Sequence, residues 1–452
     1  MRYGTYDKYK KGTLFDVLPA HWPEERIHDI AKIKTSNVDK KSKEDEDVVK
    51  LCNYLDVYNN SKIDSSLDFM VATASKSDIK RFTLKRGDVV ITKDSEDPFD
   101  IGIPALINED IDGLVCGYHL TIIQSDQERL LGNYLYYALE ADRSKHQFTL
   151  ASNGVTRFGL TQQGTKNLKI CVPSLDEQKK IADFLDYKTQ QIDQLIEKKK
   201  ALIEKLNEQR IAVITQAVTK GLDKNAKMKP SGVDWLGDVP EHWEVKRLRF
   251  CIVTNPVKSE TKSVEDDDLV SFVPMDAVEE YGGMDVGQTK MLEEVYNGYT
   301  YFKENDVVVA KITPCFENGK GSIALGLTNG IGFGTTEFHV LRGGNKTNKN
   351  FLFYMTISHS FRDIGASEML GAGGQKRIPE NFIKDFRQGI PDINEQEEIV
   401  THIEKKLNRL DNMVRINKEA IDAYAEYRNS LITAAVTGKI DVRDFDVEKD
   451  VA

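Results

Sequence analysis

"VPSLDEQKKIADFLD", from Val172 to Asp186, returns as "IPDINEQEEIVTHIE", from Ile390 to Glu404, a shift of 218 positions. The first copy opens a stretch, Asp176 to Thr219, without a single proline or glycine. Its apolar residues recur at alternating steps of three and four, which places them on one stripe of a helix and suits that stripe to pairing along a seam. The seam expected in the first helix is Leu185, Ile192, Leu195, Leu202, Leu206 and Val213, with Lys188, Lys199 and Gln209 as polar intrusions. Shifted by 218, it becomes Ile403, Leu410, Met413, Ala420, Tyr424, Tyr427 and Leu431, with Lys406 and Asn417 as the intrusions. About 44 residues at 1.5 Å each give roughly 66 Å. That is too long for the core helix of one globule, so a pair of such helices is expected.

Three further matches follow the same order along the chain. "PAHWPEERI" at Pro19 returns as "PEHWEVKRL" at Pro240, shifted by 221. "RGDVVITK" at Arg86 returns as "ENDVVVAK" at Glu304, and "RIAVITQAVTKG" at Arg210 as "RNSLITAAVTGK" at Arg428, each shifted by 218. "GYHLTIIQ" at Gly117 also looks like "TEFHVLRG" at Thr336, which sets His119 beside His339. The chain is therefore read as two tandem copies of a unit of about 220 residues. Short β-rich runs between Gly, Asn and Asp turns make each copy's head a mixed α/β globule. The expected class is α+β: heads at 1–174 and 239–392, long helices at 175–220 and 393–438, a linker at 221–238 and a tail at 439–452. Antiparallel pairing of the helices would give the chain a pseudo-twofold axis.

Length and composition agree with a chain that folds on its own core. The 452 residues suffice for two domains, and the five cysteines are scattered singly, as in a reducing compartment. No run approaches the ~20 apolar residues of a membrane span, and the N-terminus has no signal-peptide pattern, so a cytoplasmic protein without a membrane partner is expected. The net charge of −10 argues against a nucleic-acid coat, yet 62 Lys and Arg residues can still build a local basic surface.

The chemistry-bearing motifs are conspicuous by what they lack. "GAGGQKR" at Gly371 and "ENGKGS" at Glu317 hold glycines and lysines without P-loop spacing. No Gly-rich strand-to-helix turn for a dinucleotide or methyl donor occurs, nor an Asn/Asp-Pro-Pro-aromatic tetrapeptide. His21 and His242 sit in the repeated P-x-H-W, where packing or capping is the expected role, and His119 and His339 read as strand histidines. No catalytic, cofactor or metal site is expected in this chain.

These features together resemble the specificity subunit of type I restriction-modification systems. The resemblance rests on the P-x-H-W entry to each head, on "KDSEDPFDIGIPALI" (Lys93 to Ile107) followed by "CGYHLTII", on "KITPCFENGKGSIA" (Lys311 to Ala324) followed by "TNGIGFGTTEFHVL", and on P-x-x-x-E-Q at Pro173 and Pro391. It implies that each head is a target-recognition domain reading one half of a split double-stranded DNA site, and that the paired helices set the unread spacer. It further implies two modification subunits, which carry S-adenosylmethionine and methylate adenine N6, and two restriction subunits using ATP with Mg2+. The chain itself would bind none of these cofactors and catalyse nothing.

Each head has a Gly-containing polar loop before its P-x-x-x-E-Q strand, and Arg, Lys and Gln are the side chains that bond base edges in pairs. The DNA-binding candidates there are Thr156 and Arg157 in the first head, and Gln375, Lys376 and Arg377 in the second. Lys93, Asp94 and Ser95 after one strand, and Lys311, Thr313 and Asn318 after its counterpart, are the other candidates. A solvated turn, or phosphate contacts alone, is the competing reading of these loops. A coiled-coil scaffold whose heads bind proteins is the competing reading of the whole. The heads differ in their loops, so an asymmetric target is expected.

Overall fold

The computed structural model describes residues 3–14, 17–262, 264–372 and 374–446; the last part of the expected tail, 447–452, lies outside them. Two compact units emerge: residues 1–199 with 419–452, and residues 200–418. The boundary falls inside each long helix rather than between repeats. Each unit thus combines one head, the first part of that head's own helix and the last part of the other repeat's helix.

The main sheet of the first unit has five strands in the order Ala31–Thr35, Leu120–Ser125, Val89–Thr92, Pro104–Ile107, Lys62–Ile63. Neighbours are antiparallel except the last pair. In the second unit the order is Ile252–Thr254, Phe338–Gly343, Val307–Ala310, Gly321–Ile323, all antiparallel. A second sheet accompanies each, three-stranded in the first unit and four-stranded in the second. It pairs Asp47–Cys52 with Leu114–Cys116 in one unit and Leu269–Val273 with Ile331–Gly334 in the other, parallel in both cases. Parallel neighbours need a crossover, and here the main-sheet strands provide it.

Strand register sets how the two copies align. Leu120 faces Thr92, and Phe338 faces Ala310. A uniform shift of 218 therefore carries His119 to Glu337 and Thr121 to His339. The two histidines are not equivalents. A slip of two residues keeps every side chain on the same sheet face, so the hydrophobic pattern cannot reveal it.

The long helices run Leu175–Lys220 and Ile393–Val436. Ser174 and Glu177 form a reciprocal cap at the first, with the Ser174 hydroxyl and amide both donating to the Glu177 carboxylate. Asp392 caps the second, accepting from the amides of Asn394 and Glu395 at 2.9 and 3.0 Å. Gly221 and Gly438, at φ +73 and +68, end them in the left-handed conformation that glycine takes without strain.

Burial along the helices departs from the expected seam in alternate positions. Leu185, Ile192 and Leu206 are buried and Val213 half-buried, whereas Leu195 and Leu202 are exposed and Ile196 and Ile203 turn inward instead. In the second helix Ile403, Leu410 and Leu431 are buried and Ala420 and Tyr424 half-buried, while Met413 and Tyr427 face solvent. Leu407 is buried and Val414 and Arg428 half-buried in place of the expected Lys406, Met413 and Tyr427. The spacing of three and four survives with its phase displaced by one residue at every second step. "LI" occurs at both 195–196 and 202–203, so either phase keeps an apolar stripe.

The helices are part of the unit cores. Leu431, Ile432, Ala435 and Val436 pack with Trp22, Tyr134 and Phe184 in the first unit. Leu206, Ile214, Ala217 and Val218 pack with Trp243, Phe361 and Leu352 in the second. Full burial of each leucine, isoleucine, valine or phenylalanine among them contributes roughly 1.5–3 kcal/mol. Helix ends and heads are thereby locked together within each unit.

Candidate nucleic-acid interface

The P-x-H-W and P-x-x-x-E-Q motifs meet in space. His21 Nε2 lies 2.9 Å from the Glu177 carboxylate, which also accepts from the Trp22 indole at 3.3 Å. One repeat on, His242 and Trp243 reach Glu395 at 2.8 and 3.0 Å. Gln178 and Gln396 then bond inward, each donating to the carbonyl of the motif's own proline, Pro173 or Pro391, at 2.9 Å. The four histidine and tryptophan side chains therefore fasten a head to the first turn of its helix. Their role is structural.

In the first head, Lys93, Asp94 and Ser95 lie at the end of a main-sheet strand, and Asp94 and Ser95 pair with Phe158–Leu160. Phe158–Leu160 is one arm of a hairpin whose other arm is Ser152–Gly154. Gly154 is required there, because a Cβ would meet the Arg157 carbonyl at 2.0 Å. Thr156 and Arg157 stand exposed in the connection. His119, held at φ +72, approaches Asp94 to 2.5 Å through Nδ1, and a carboxylate can only accept, so that nitrogen carries the proton. The Arg157 guanidinium lies 3.4 Å from the same nitrogen, which is therefore proximity and not a second bond. Lys93 sits 4.8 Å above the Tyr118 ring. Tyr54 and Tyr58 stack at 5.6 Å, the Tyr58 hydroxyl donates to Asp100 at 2.7 Å, and Phe99 projects into solvent. Basic groups interleaved with exposed rings are the chemistry of a surface that meets nucleic acid. The aromatic members escape a reading of the sequence because Tyr54 and Tyr58, on one short helix, meet Phe99 and Tyr118, from two separate loops, only in the fold.

The second head gathers Lys311, Thr313, Gln375, Lys376 and Arg377 in the same way. Lys311 donates its amide to the Glu337 carbonyl and accepts from the Ile378 amide, both at 2.8 Å, just as Lys93 does with His119 and Leu160. Thr313 ties its loop to the hairpin of Leu370–Ala372 and Gln375–Arg377, donating to the Gly374 carbonyl at 2.6 Å and accepting from the Lys376 amide at 3.1 Å. Gln375, Lys376 and Arg377 are all exposed. Asn318 lies farther along the loop, exposed, its amide bonded to the Pro314 carbonyl. Arg377 grips the Glu337 carboxylate with Nε and Nη2 at 2.9–3.1 Å. That bond holds the Glu337 carboxyl below its usual range.

His339 belongs to the core beneath. Nε2 donates to the Ile378 carbonyl at 2.9 Å, burial pushes its pKa down, and Asn255 flanks Nδ1 at 3.4 Å. Among the described residues no group of three His, Cys, Asp or Glu side chains could hold a metal ion. No helix among them is long and apolar enough to cross a membrane.

Residues 19–205 match the family described as the type I restriction modification DNA specificity domain. The chain is 34% identical over 197 residues to the EcoAI type I restriction enzyme specificity subunit of Escherichia coli, covering 43% of this chain and 33% of that one. It thus spans about a third of that relative's length. It is 23% identical over 447 residues to the putative MjaX type I restriction enzyme specificity subunit of Methanocaldococcus jannaschii, covering 97% of both chains. Among solved structures, a chain from a study of complex assembly and conformational transition of the type I R-M system superposes with TM-score 0.68 at 15% identity, over 94% of this chain and 99% of that one. The HsdS subunit from Thermoanaerobacter tengcongensis does so with TM-score 0.51 at 15% identity, over 94% and 98%. These structures share the fold.

Proposed function

Since the chain belongs to the type I restriction-modification specificity family, we propose that each of its heads reads one half of an asymmetric, bipartite double-stranded DNA site. The observation that carries this reading is the pair of exposed hairpins. They stand at corresponding ends of two matching sheets, yet one presents Thr156 and Arg157 and the other Gln375, Lys376 and Arg377. A shared scaffold with different base-reading side chains is what two different half-sites require. Lys93 and Lys311 are placed beside the hairpins to meet phosphates, and Asp94, Ser95, Thr313 and Asn318 to shape the loops that approach the grooves.

In this reading the long helices set the length of the unread spacer and dock two modification subunits. Those subunits bring S-adenosylmethionine and methylate adenine N6 on a base taken out of the stack. Two restriction subunits, using ATP and Mg2+, complete the restricting form. The chain itself supplies recognition and no chemistry.

Methylome sequencing of cells that express this chain with its modification subunit, beside cells lacking the chain, tests the reading. N6-methyladenine should appear in one split, non-palindromic motif with a fixed gap. A properly assembled complex that yields no new motif, with DNA binding insensitive to salt, would instead favour heads that bind proteins.

A further inference from the structure

The Arg377–Glu337 pair has no counterpart in the first head. The uniform shift of 218 places His119 where Glu337 stands and Gly159 where Arg377 stands. The pair is thus particular to the second head.

The arginine is held unusually well for an exposed side chain. Its backbone is paired on one side with Leu370 and bridged on the other to Ile312, and the next residue's amide bonds to Lys311. The side chain is gripped along one edge only. Nε donates to both Glu337 oxygens and Nη2 to one of them, which fixes the guanidinium plane. Glu337 is anchored in turn, its amide bonded to the Thr335 hydroxyl and its carbonyl to the Lys311 amide. Among the described residues Nη1 has no protein partner, so the far edge, with donors on Nη1 and Nη2, points away from the carboxylate.

Two features decide what that edge suits. It offers two parallel N–H donors, the pattern matched by the O6 and N7 acceptors of guanine in the major groove. A phosphate is a poorer match, because an anion drawn to this guanidinium also meets the Glu337 charge. Lys376 and Lys311, which form no ion pair among the described residues, serve that purpose better as point charges. Prior immobilisation also removes most of the rotamer entropy that a free arginine loses on binding.

We propose that Arg377, clamped by Glu337, reads a guanine in the half-site of the second head through its Nη1–Nη2 edge. This deepens the DNA-reading function proposed above and rests on it.

The test uses the full-length chain in complex with its modification subunit, and duplex oligonucleotides built on the motif found in the methylome, with each base pair replaced in turn. For the wild-type complex, replacing one G·C pair in one half-site should weaken binding roughly ten- to a hundredfold. In Arg377→Lys, which keeps the charge but not the fork, that penalty should fall to about threefold or less, while every other penalty persists. Glu337→Gln should reduce the same penalty part of the way. The intact penalties across the other half-site report that the complex is folded and assembled. A second half-site without a G·C pair, or a full penalty retained in Arg377→Lys and Arg377→Ala, overturns the proposal while leaving the DNA-reading function standing. If the wild-type complex yields no motif, it is that function which fails.

Discussion

Arg428 donates from Nε to the Asp193 carboxylate across 3.0 Å, and the same relationship recurs one repeat away between Arg210 and Asp411 at 2.5 Å. Each pair joins antiparallel helix segments within its own unit. Exposed ion pairs contribute little, about 1 kcal/mol or less, and Asp193 is half exposed. Arg428 is mostly covered, with Glu140 3.7 Å away, so the cation has been taken out of water and depends on its partners. Asp193→Ala should lower unfolding stability by under about 1 kcal/mol, and Arg428→Ala by about 1–3 kcal/mol. Exchanging the two residues should restore part of the loss. Urea midpoints of the full chain decide this, and equal losses in both single variants would remove the asymmetry claimed for the pair.

The displaced phase of the helix stripe leads to an ordering of alanine variants. Leu195 and Leu202 face solvent, so truncating them should cost under about 0.5 kcal/mol each. Ile196 and Ile203 turn inward and are partly covered, and their truncation should cost about 1–3 kcal/mol, below the full core value. Thermal unfolding of the four variants side by side checks the order. A reversed order would reinstate the stripe as first read from the sequence.

How far the sequence carries the fold depends on which periodicity is asked. The repeat of 218 was legible because it rests on several separated matches, among them Pro173 with Pro391 and Arg210 with Arg428. Fine alignment was not. A two-residue slip put His119 beside His339, since strands hide slips of two, and a one-residue slip at alternate helix positions passed unseen because Leu195 and Ile196 are equally apolar. The candidate loops were legible as polar, Gly-containing segments. Glu337 was not, because its value lies in meeting Arg377, forty positions away in sequence.

Glu177 ties stability to acid. Burial pushes its pKa up, but the bonds from His21, Ser174 and Trp22 together outweigh this and hold it below the ordinary value near 4.5. A carboxyl depressed in the folded state contributes stability that is present above the unfolded pKa and lost as pH falls through the folded one. The first unit should therefore lose stability as pH drops below about 4.5. Glu177→Gln should be less stable than wild type at pH 7 and show a shallower loss over that acid range. Parallel acid profiles for both proteins would dissociate this carboxylate from the effect.

Arg362 sets up a prediction of opposite sign. Its guanidinium is buried in the second unit, stacked 4.6 Å from the Phe316 ring, with Nη1 donating to the Phe316 carbonyl at 2.7 Å. Nε and Nη2 have no hydrogen-bond partner, and burial pushes the pKa down to about 9. A buried cation without a carboxylate is costly, by several kcal/mol after relaxation, whereas the single carbonyl bond returns only about 1.5–3 kcal/mol. Arg362→Met, of similar length, should leave thermal stability equal or raise it. The wild-type chain should also gain stability as pH rises above about 9, because the unfolded state then holds a proton that the folded state has released, and the variant should lack that increment. Phe316 belongs to the loop that follows Thr313, so the same change frees an anchor of the second head's reading surface and should weaken discrimination in one half-site only. Urea unfolding at pH 8 and pH 10.5 measures the first effect and the oligonucleotide panel the second. A variant several degrees less stable than wild type at pH 8 would mean that the arginine stabilises the unit despite its missing partners.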